Sequence, residues 1–499
     1  MKLEPYLARK GKNNMKKSIF RWLLWICILA MIPAFSGCGD AKEPAGQTEE
    51  ETETNETQES EEMGIPELTV GDNIQVVLPN RPTSFSLICS RGEALNIENA
   101  HTVILNAVQS TLNVKMKTSS GEDYPNHILV GVVNSRPETK TLNKTLQKDE
   151  YAICTQIGED GHVDILIGYN GSFAMLCAID RFCKEYVLPT GLVVPKNLDI
   201  RGTCTMDDVL ISTPITKLRD PFILLTDDGT YYAYGTGWVY YKNTSGSLSG
   251  AWDGPFSCVE APEDYADNPW APEVHFYKGS YYMLTTYRSK TTDRRGCTIF
   301  KASSPEGPFV PHSDGFVTPG EWDSIDGTLY VDPEGTPWMV FVHEWVSAPE
   351  NTGRMAAVRL TDDLSAPVGE ATELFKATDP SWSKEPVTDG CFLFKTEKGR
   401  LGMIWSNWDD FGYCVGMAFS SDGTLSGKWK QDDRVLFSKT KYGTYDGGHG
   451  MLFADLDGQW YLSMHCPNGI VDSRLEVPTF LPVRFAYDTL VADVWHSES

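Results

Sequence analysis

The strongest constraint on this chain is a unit that recurs five times after Arg219. Each copy opens on an acidic residue or a histidine, runs through an apolar stretch, turns at a glycine and continues into a second, aromatic-rich stretch. The copies begin at Asp220 (DPFILLTDDGTYYAYGT), Glu273 (EVHFYKGSYYMLTTY), Asp326 (DGTLYVDPEGTPWMVFV), Asp389 (DGCFLFKTEKGRLGMIW) and His449 (HGMLFADLDGQWYLSM). Their lead residues stand 53, 53, 63 and 60 positions apart. A second marker keeps the same phase, because Gly254-Pro255-Phe256, Gly307-Pro308-Phe309 and Gly427-Lys428-Trp429 follow their lead residues by 34, 34 and 38 positions.

Repeats of this size, each holding several short strands, are the pattern of a β-propeller with one blade per repeat. Five copies predict an all-β five-bladed β-propeller over residues 214–499, preceded by a smaller α/β domain. Rotation about a central axis brings equivalent positions together, so the five lead residues are expected at one mouth of the channel. Four carboxylates and an imidazole in that space raise one another's proton affinity unless some are protonated, paired or bound to a cation. Hydrolysis of a glycosidic bond needs one carboxylic acid to protonate the departing oxygen and one carboxylate to act on water or carbon. A third carboxylate nearby holds the acid protonated by charge repulsion.

The rest of the chain supplies setting. Lys16, Lys17 and Arg21 flank an apolar run that ends at Phe35, and Ser36-Gly37-Cys38 closes it. This reads as a lipoprotein-type secretory signal over residues 1–38 with lipidation at Cys38, hence a protein outside the cell, anchored to a bacterial membrane by its lipid. Residues 39–63 are an acidic tether that includes QTEEETETNETQESEE and lacks the apolar surface to fold. The full chain carries a formal charge of −25, so it repels phosphate backbones, and nucleic-acid partners are excluded. Of the 12 cysteines, Cys27 falls in the signal and Cys38 is the lipid site; the other ten sit mostly in apolar patterns and read as buried thiols.

Residues 64–205 mix strand-like runs (73–78, 127–133, 150–156, 162–167) with a period-3.6 stripe of Phe173, Leu176, Cys177, Ile179, Phe182 and Tyr186. They predict an α/β accessory domain that serves as a scaffold. The segments ILVGVVNSR and DEYAI, with the helix that follows, resemble the non-catalytic N-terminal domain of hexosaminidase-like and α-glucuronidase-like enzymes.

From about residue 214, the motifs RDPF, WAPEVHFYKGSYYM, SIDGTLYVDPEG, TDGCFLFK and GGHGMLF, in this order and at blade spacing, resemble glycoside hydrolase family 43. The resemblance implies inverting hydrolysis of arabinose- or xylose-type bonds, or galactofuranose-type bonds, in a plant-type polysaccharide or oligosaccharide. It implies Asp220 as general base, Asp326 as the residue that tunes the acid's pKa, and His449 as ligand, often through water, of a structural calcium ion in the channel. The family's acid is a glutamate in Glu-Gly-Pro, whereas the aligned residue here is Asp389 in Asp-Gly-Cys. Its reach is shorter by about 1.5 Å, one carbon–carbon bond, and a misplacement of that size costs roughly a hundredfold in rate. Three outcomes stay open: Asp389 acts as general acid with a shifted blade, Glu385 takes the role, or the enzyme is weak or inactive. Trp238, Trp270 and Trp322 are candidates to stack on sugar faces and Glu273 to bind hydroxyls; His343 and His465 read as structural.

Two other readings remain. A fructan-cleaving five-bladed hydrolase shares the Arg-Asp-Pro tripeptide, but its Asn-Asp-Pro-Asn type of motif is missing. A lipoprotein that captures glycans with a degenerate catalytic ring is the other. Sugar, linkage and exo or endo action depend on loops between blades and are not legible.

Overall fold

The computed structural model describes residues 65–90, 101–118, 124–439, 443 and 445–497. The expected signal, the lipid site Cys38 and the acidic tether lie outside the described residues. Beyond position 61 the chain forms one compact unit.

The first part of that unit mixes parallel and antiparallel pairing. A six-stranded sheet runs in the order Asp199–Thr203, Glu150–Ile157, Val163–Tyr169, Asn126–Val130, Phe85–Cys89, Lys117–Thr118, with the last three pairings parallel. Helices Thr102–Leu112, Pro137–Thr145 and Ser172–Tyr186 accompany it, with a four-stranded sheet built from Asn73–Val77 and Gly191–Pro195 and their short neighbours. The helix Ser172–Tyr186 is buried on nearly every face, more than its apolar stripe predicts. The reason is Asp180, 4% exposed, which accepts hydrogen bonds from Arg484 (2.5 Å) and from the backbone N–H groups of Val494 and Trp495. A helix pinned by its polar residue to the C-terminal segment buries its far side there. One apolar core accordingly runs from Phe85, Ile104 and Phe182 to Val415, Leu462 and Leu481.

From Ile211 onward the fold is all-β. Five antiparallel sheets follow in chain order, each built from consecutive strands, as the five repeats predict. Their innermost strands are Phe222–Leu225, Tyr265–Tyr277, Ser324–Val331, Asp389–Lys395 and Gly448–Ala454. The fifth sheet also takes in Ile211–Ser212, the strand that precedes the first sheet, which pairs with Val477–Ala486. Each innermost strand contacts the next, and the fifth contacts the first. Residues from all five line one cavity of about 430 Å³, among them Phe222, Val274, Leu329, Phe392 and Met451.

A repeated hydrogen bond links the sheets at one end of this ring. The backbone N–H of Ala271 donates to Thr236 on the first sheet, that of Asp326 to Thr286 on the second, and that of His449 to Ser406 on the fourth. The N–H of Asp220 donates to His465 Nδ1 on the fifth, which carries the same contact from the last sheet back to the first. In each case a polar side chain at the far end of one sheet's second strand receives the opening residue of the following sheet.

Candidate active site

Antiparallel pairing slips where the inner strands open, between Trp270 and Glu273, Ile325 and Thr328, Asp389 and Cys391, and Gly448 and Met451. Such bulges break the ladder and re-aim one side chain. Asp220, Asp326 and His449 take φ of 55°, 58° and 53°, a left-handed conformation that Asp and His tolerate better than most residues. Holding a non-glycine residue there costs on the order of 1–3 kcal/mol, a strain typical of functional sites. Gly390 serves a different need: a Cβ at this position would stand 2.7 Å from His449 Cγ, so the fourth strand approaches the fifth only with glycine there.

The second sheet corrects the expected register. Its inner strand has two left-handed residues, Asn268 (φ 61°) and Ala271 (φ 42°), and the one whose N–H meets the preceding sheet at Thr236 is Ala271, two positions before Glu273. The predicted ring of four carboxylates and one imidazole is therefore three carboxylates, one imidazole and an alanine. Glu273 sits one layer away, 8% exposed, with its carboxylate 2.9 Å from His275 Nε2.

The remaining four come together. His449 Nδ1 lies 3.3 Å from Asp220 Oδ1 and 3.8 Å from Asp326 Oδ2. Asp326, Asp389 and His449 each present one ligand atom within 4.8 Å of the others. Asp326 also accepts the Gly390 N–H at 3.0 Å and shares a hydrogen bond with the Asp389 carboxyl. Asp220 and Asp326 are each 7% exposed, while Asp389 shows more of its surface to solvent.

Neighbours divide these carboxyls into two kinds. Burial alone would raise the pKa of Asp220, but His449, Arg219, His465 and the Thr236 hydroxyl, which donates at 2.5 Å, bring it down to about 2. His465 is fully buried and faces the Arg219 guanidinium, so its own pKa falls to about 3 and it stays a neutral acceptor. Asp389 moves the other way. Burial, then the charge and hydrogen bond of Asp326, push it well above the ordinary carboxylate range. Asp326 rises to about 6, through burial first, with the Asp389 hydrogen bond opposing and Asp220 adding to the shift. One member of the mouth is thus driven toward its ionised form and another toward its protonated form, the direction of separation that acid–base hydrolysis requires.

The other predicted residues part company with this cluster. Trp238 is 6% exposed, packed against Tyr265 and Phe300 with its N–H on Thr285, so it belongs to the core and has no face for a sugar. Trp270 is partly buried under the Arg295 guanidinium, 5.6 Å from its ring. Trp322 stacks on His343 with centroids 3.9 Å apart. Glu385 is exposed on the loop before the fourth sheet, and its contacts are made by its backbone carbonyl. Sequence reasoning passed over Arg219, Thr236 and Tyr413 as site residues and read His465 as structural. Tyr413 donates to Asp389 Oδ2 at 2.8 Å and stacks on His465. Two of the four, Thr236 and His465, lie on a second strand or directly after one, and superposing the second strands of the repeats would have flagged both.

Calcium takes six to eight oxygen ligands. The cluster offers two carboxylates and an imidazole, and one carboxyl holds a proton. The carboxylate pair does not fit as a calcium cage; His449 with water completing the shell is the part of the set that fits.

Two carboxyls driven to opposite proton affinities, flanked by a third, suit acid–base hydrolysis of a glycosidic bond. A match to Glycosyl hydrolases family 43 spans residues 211–482, more than half of the chain. The chain is similar to a probable arabinan endo-1,5-α-L-arabinosidase C of Aspergillus niger, 29% identical over 255 residues, covering 48% of this chain and 70% of that protein. It is also similar to an extracellular exo-α-(1→5)-L-arabinofuranosidase of Streptomyces chartreusis, 26% identical over 269 residues, covering 49% and 79%. Among solved structures, an endo-arabinase from Bacteroides thetaiotaomicron shares 33% identity with a TM-score of 0.48, covering 56% of this chain and 98% of that one. The chain belongs to glycosyl hydrolase family 43 and is a glycosidase.

Proposed function

We propose that the protein hydrolyses α-L-arabinofuranosyl bonds of arabinan-type polysaccharide by a single displacement with inversion. The observation that carries this reading is the convergence of Asp220, Asp326 and Asp389 around His449, with neighbours that hold Asp220 down and push Asp389 up in proton affinity. Asp220 takes a proton from water as the water oxygen attacks the anomeric carbon. The bond to the leaving oxygen breaks, and Asp389 gives that oxygen its proton. Asp326 holds the proton on Asp389 until the leaving oxygen draws it away. The arabinan and arabinofuranosyl activities named for the relatives support this sugar over xylose or galactofuranose. The ring of strand contacts and the shared cavity support reading the five sheets as the blades of a five-bladed propeller around a channel.

His449 is the residue that would hold a calcium ion in this channel, through water, where the ion would supply positive charge beside the carboxylates. Residues 64–205 act as an accessory domain of the kind that precedes the catalytic domain in hexosaminidase-like and α-glucuronidase-like enzymes. The protein works outside the cell, tethered through lipid on Cys38, a reading supported by the extracellular relatives and by the basic, apolar, small-residue order of residues 16–38.

The test is direct. Purified protein is given linear arabinan and aryl α-L-arabinofuranoside, with aryl xyloside and galactofuranoside for comparison, and the first anomer released is read by proton NMR. Release of the β-anomer from the α-arabinofuranoside is expected. Retention of configuration, or binding without turnover, would remove the mechanism.

A further inference from the structure

A groove of about 480 Å³ opens between helix Thr102–Leu112, the fourth sheet and the final hairpin. It includes Lys398 and Arg400, which follow the inner strand Asp389–Lys395. That strand has seven residues, so the groove lies about 20 Å from the lead carboxylate at its start. It is a separate place from the mouth.

Its lining has a chemical bias. Asn106 and Gln109 line it from one helix and Asn113 from the left-handed residue that caps that helix, where its amide donates to Asn80 at 2.8 Å; Gln109 and Asn113 are exposed. The opposite wall carries Lys398, Arg400 and Lys430 against Asp432, Asp433 and Asp488. With three charges of each sign, an incoming ion meets as much repulsion as attraction, whereas an uncharged molecule rich in hydroxyls meets donors and acceptors together.

Two local costs are tolerated on this lining. Gln431 gives its Oε1 to the Trp405 N–H at 3.1 Å, but its buried Nε2 has no partner among the described residues. Buried donors are normally bonded. Tyr487 and Asp488 close the hairpin with φ of 58° and 57°, a turn that favours Asn-Gly, so a tyrosine is held in a strained conformation. The strain places an aromatic ring at the groove, where the apolar face of a sugar ring can pack. Both rings on this lining have a guanidinium beside them, Phe419 that of Arg400 at 3.8 Å and Tyr487, more loosely, that of Arg484 at 5.6 Å, which also donates to the Tyr487 hydroxyl at 3.3 Å.

We infer that this groove is a second carbohydrate site, which holds a neutral oligosaccharide segment of the polymer while another part of the polymer is cleaved at the mouth. The choice of arabinan as probe rests on the proposed function; the groove itself does not. Tyr487→Asn removes the ring and relaxes the turn, and Gln109→Ala trims an exposed helix position, so at least one of the two keeps the fold. Both are expected to leave kcat/KM on aryl arabinofuranoside within about twofold of wild type. On linear arabinan each raises KM about fivefold with kcat unchanged, the effect of losing binding that does not change in the transition state.

Binding is read separately in the full chain carrying Asp220→Asn, by affinity electrophoresis through arabinan, xylan and arabinogalactan. Retardation by at least one polymer, weakened by either groove variant, is expected. Retardation that neither variant changes, or none by any polymer, overturns the second site. Should the wild type cleave nothing while groove-dependent retardation persists, the hydrolytic reading falls and the groove stands.

Discussion

Asp220 and Asp389 are the same residue type, at equivalent places in two sheets of one ring, yet they end with opposite proton affinities. Asp220 faces Arg219, two histidines and a threonine hydroxyl and is held down at about 2. Asp389 faces the Asp326 carboxyl and a tyrosine that cannot ionise near neutral pH, and is driven well above the ordinary range. Burial presses both upward, so burial does not decide between them. The sign is set by which neighbours the adjoining sheets present. Two lead residues of one repeated unit thus acquire opposite proton affinities through the residues around them, which is what the proposed roles of base and acid call for.

The comparison breaks most sharply by substitution of either partner. Asp220→Asn leaves no group to take the water proton, and kcat on arabinan should fall about 10⁴-fold, the upper range for loss of a general base. Asp389→Asn should cost about 10³-fold, with aryl substrates that carry good leaving groups losing less. The two differ in stability as well. An asparagine at 389 can donate to Asp326 and accept from Tyr413, so it keeps both contacts and removes a buried acid. Because the folded pKa of Asp389 is raised, its contribution to stability is full below about 3.9 and is lost as pH rises through the raised value. The Tm of Asp389→Asn should therefore exceed that of the wild type at pH 8 by about 2 °C or more, and the advantage should vanish by pH 4. Asp220 has the opposite linkage. Its stabilisation is present above about 3.9 and is lost only as pH falls toward about 2.

A pH profile sharpens the same contrast. The proposed mechanism needs Asp220 ionised and Asp389 protonated, so the acid limb should lie far down, near 2, and the rate should fall only as pH rises past the raised value of Asp389. Asp326→Asn removes the charge that helps hold the proton on Asp389. Its alkaline limb should move down by about one pH unit or more. An unmoved limb would show that Asp326 does not tune the acid.

Much of this was legible in the sequence, for reasons that differ residue by residue. Asp220, Asp326, Asp389 and His449 were found because each is followed by Pro or Gly, the punctuation of a strand that opens on a bulge. Glu273 was misread for the same reason in reverse. Ala271-Pro272 carries the punctuation, but alanine has no chemistry to notice, and the phase was set on the nearest acid instead. Trp238 was taken for a sugar platform because periodicity cannot tell the channel-facing side of an aromatic strand from the side between sheets. The link of His465 to Asp220 and of Tyr413 to Asp389 was not legible because the partners lie 245 and 24 positions apart, and only the contact of the fifth sheet with the first brings His465 to Asp220.

The two smallest effects address the short acid. Tyr413 is fully buried, and its hydroxyl donates to Asp389 Oδ2 at 2.8 Å, so it fixes where the shortened side chain points. Tyr413→Phe removes one hydrogen bond to a catalytic group, which corresponds to about a tenfold loss in kcat with KM little changed. Glu385 was the rival for the acid role. It stands exposed on a loop, and no side-chain contact joins it to Asp326 or Asp389 among the described residues. Its side chain lies apart from the carboxyl pair, and Glu385→Gln should leave kcat within about twofold, as surface substitutions do. A loss comparable to that of Asp389→Asn would mean that the loop closes over bound substrate and that the acid is the longer side chain after all. In that case Asp389 would become a second tuning carboxyl beside Asp326, and the contrast with Asp220 would describe the support of the acid rather than the acid itself.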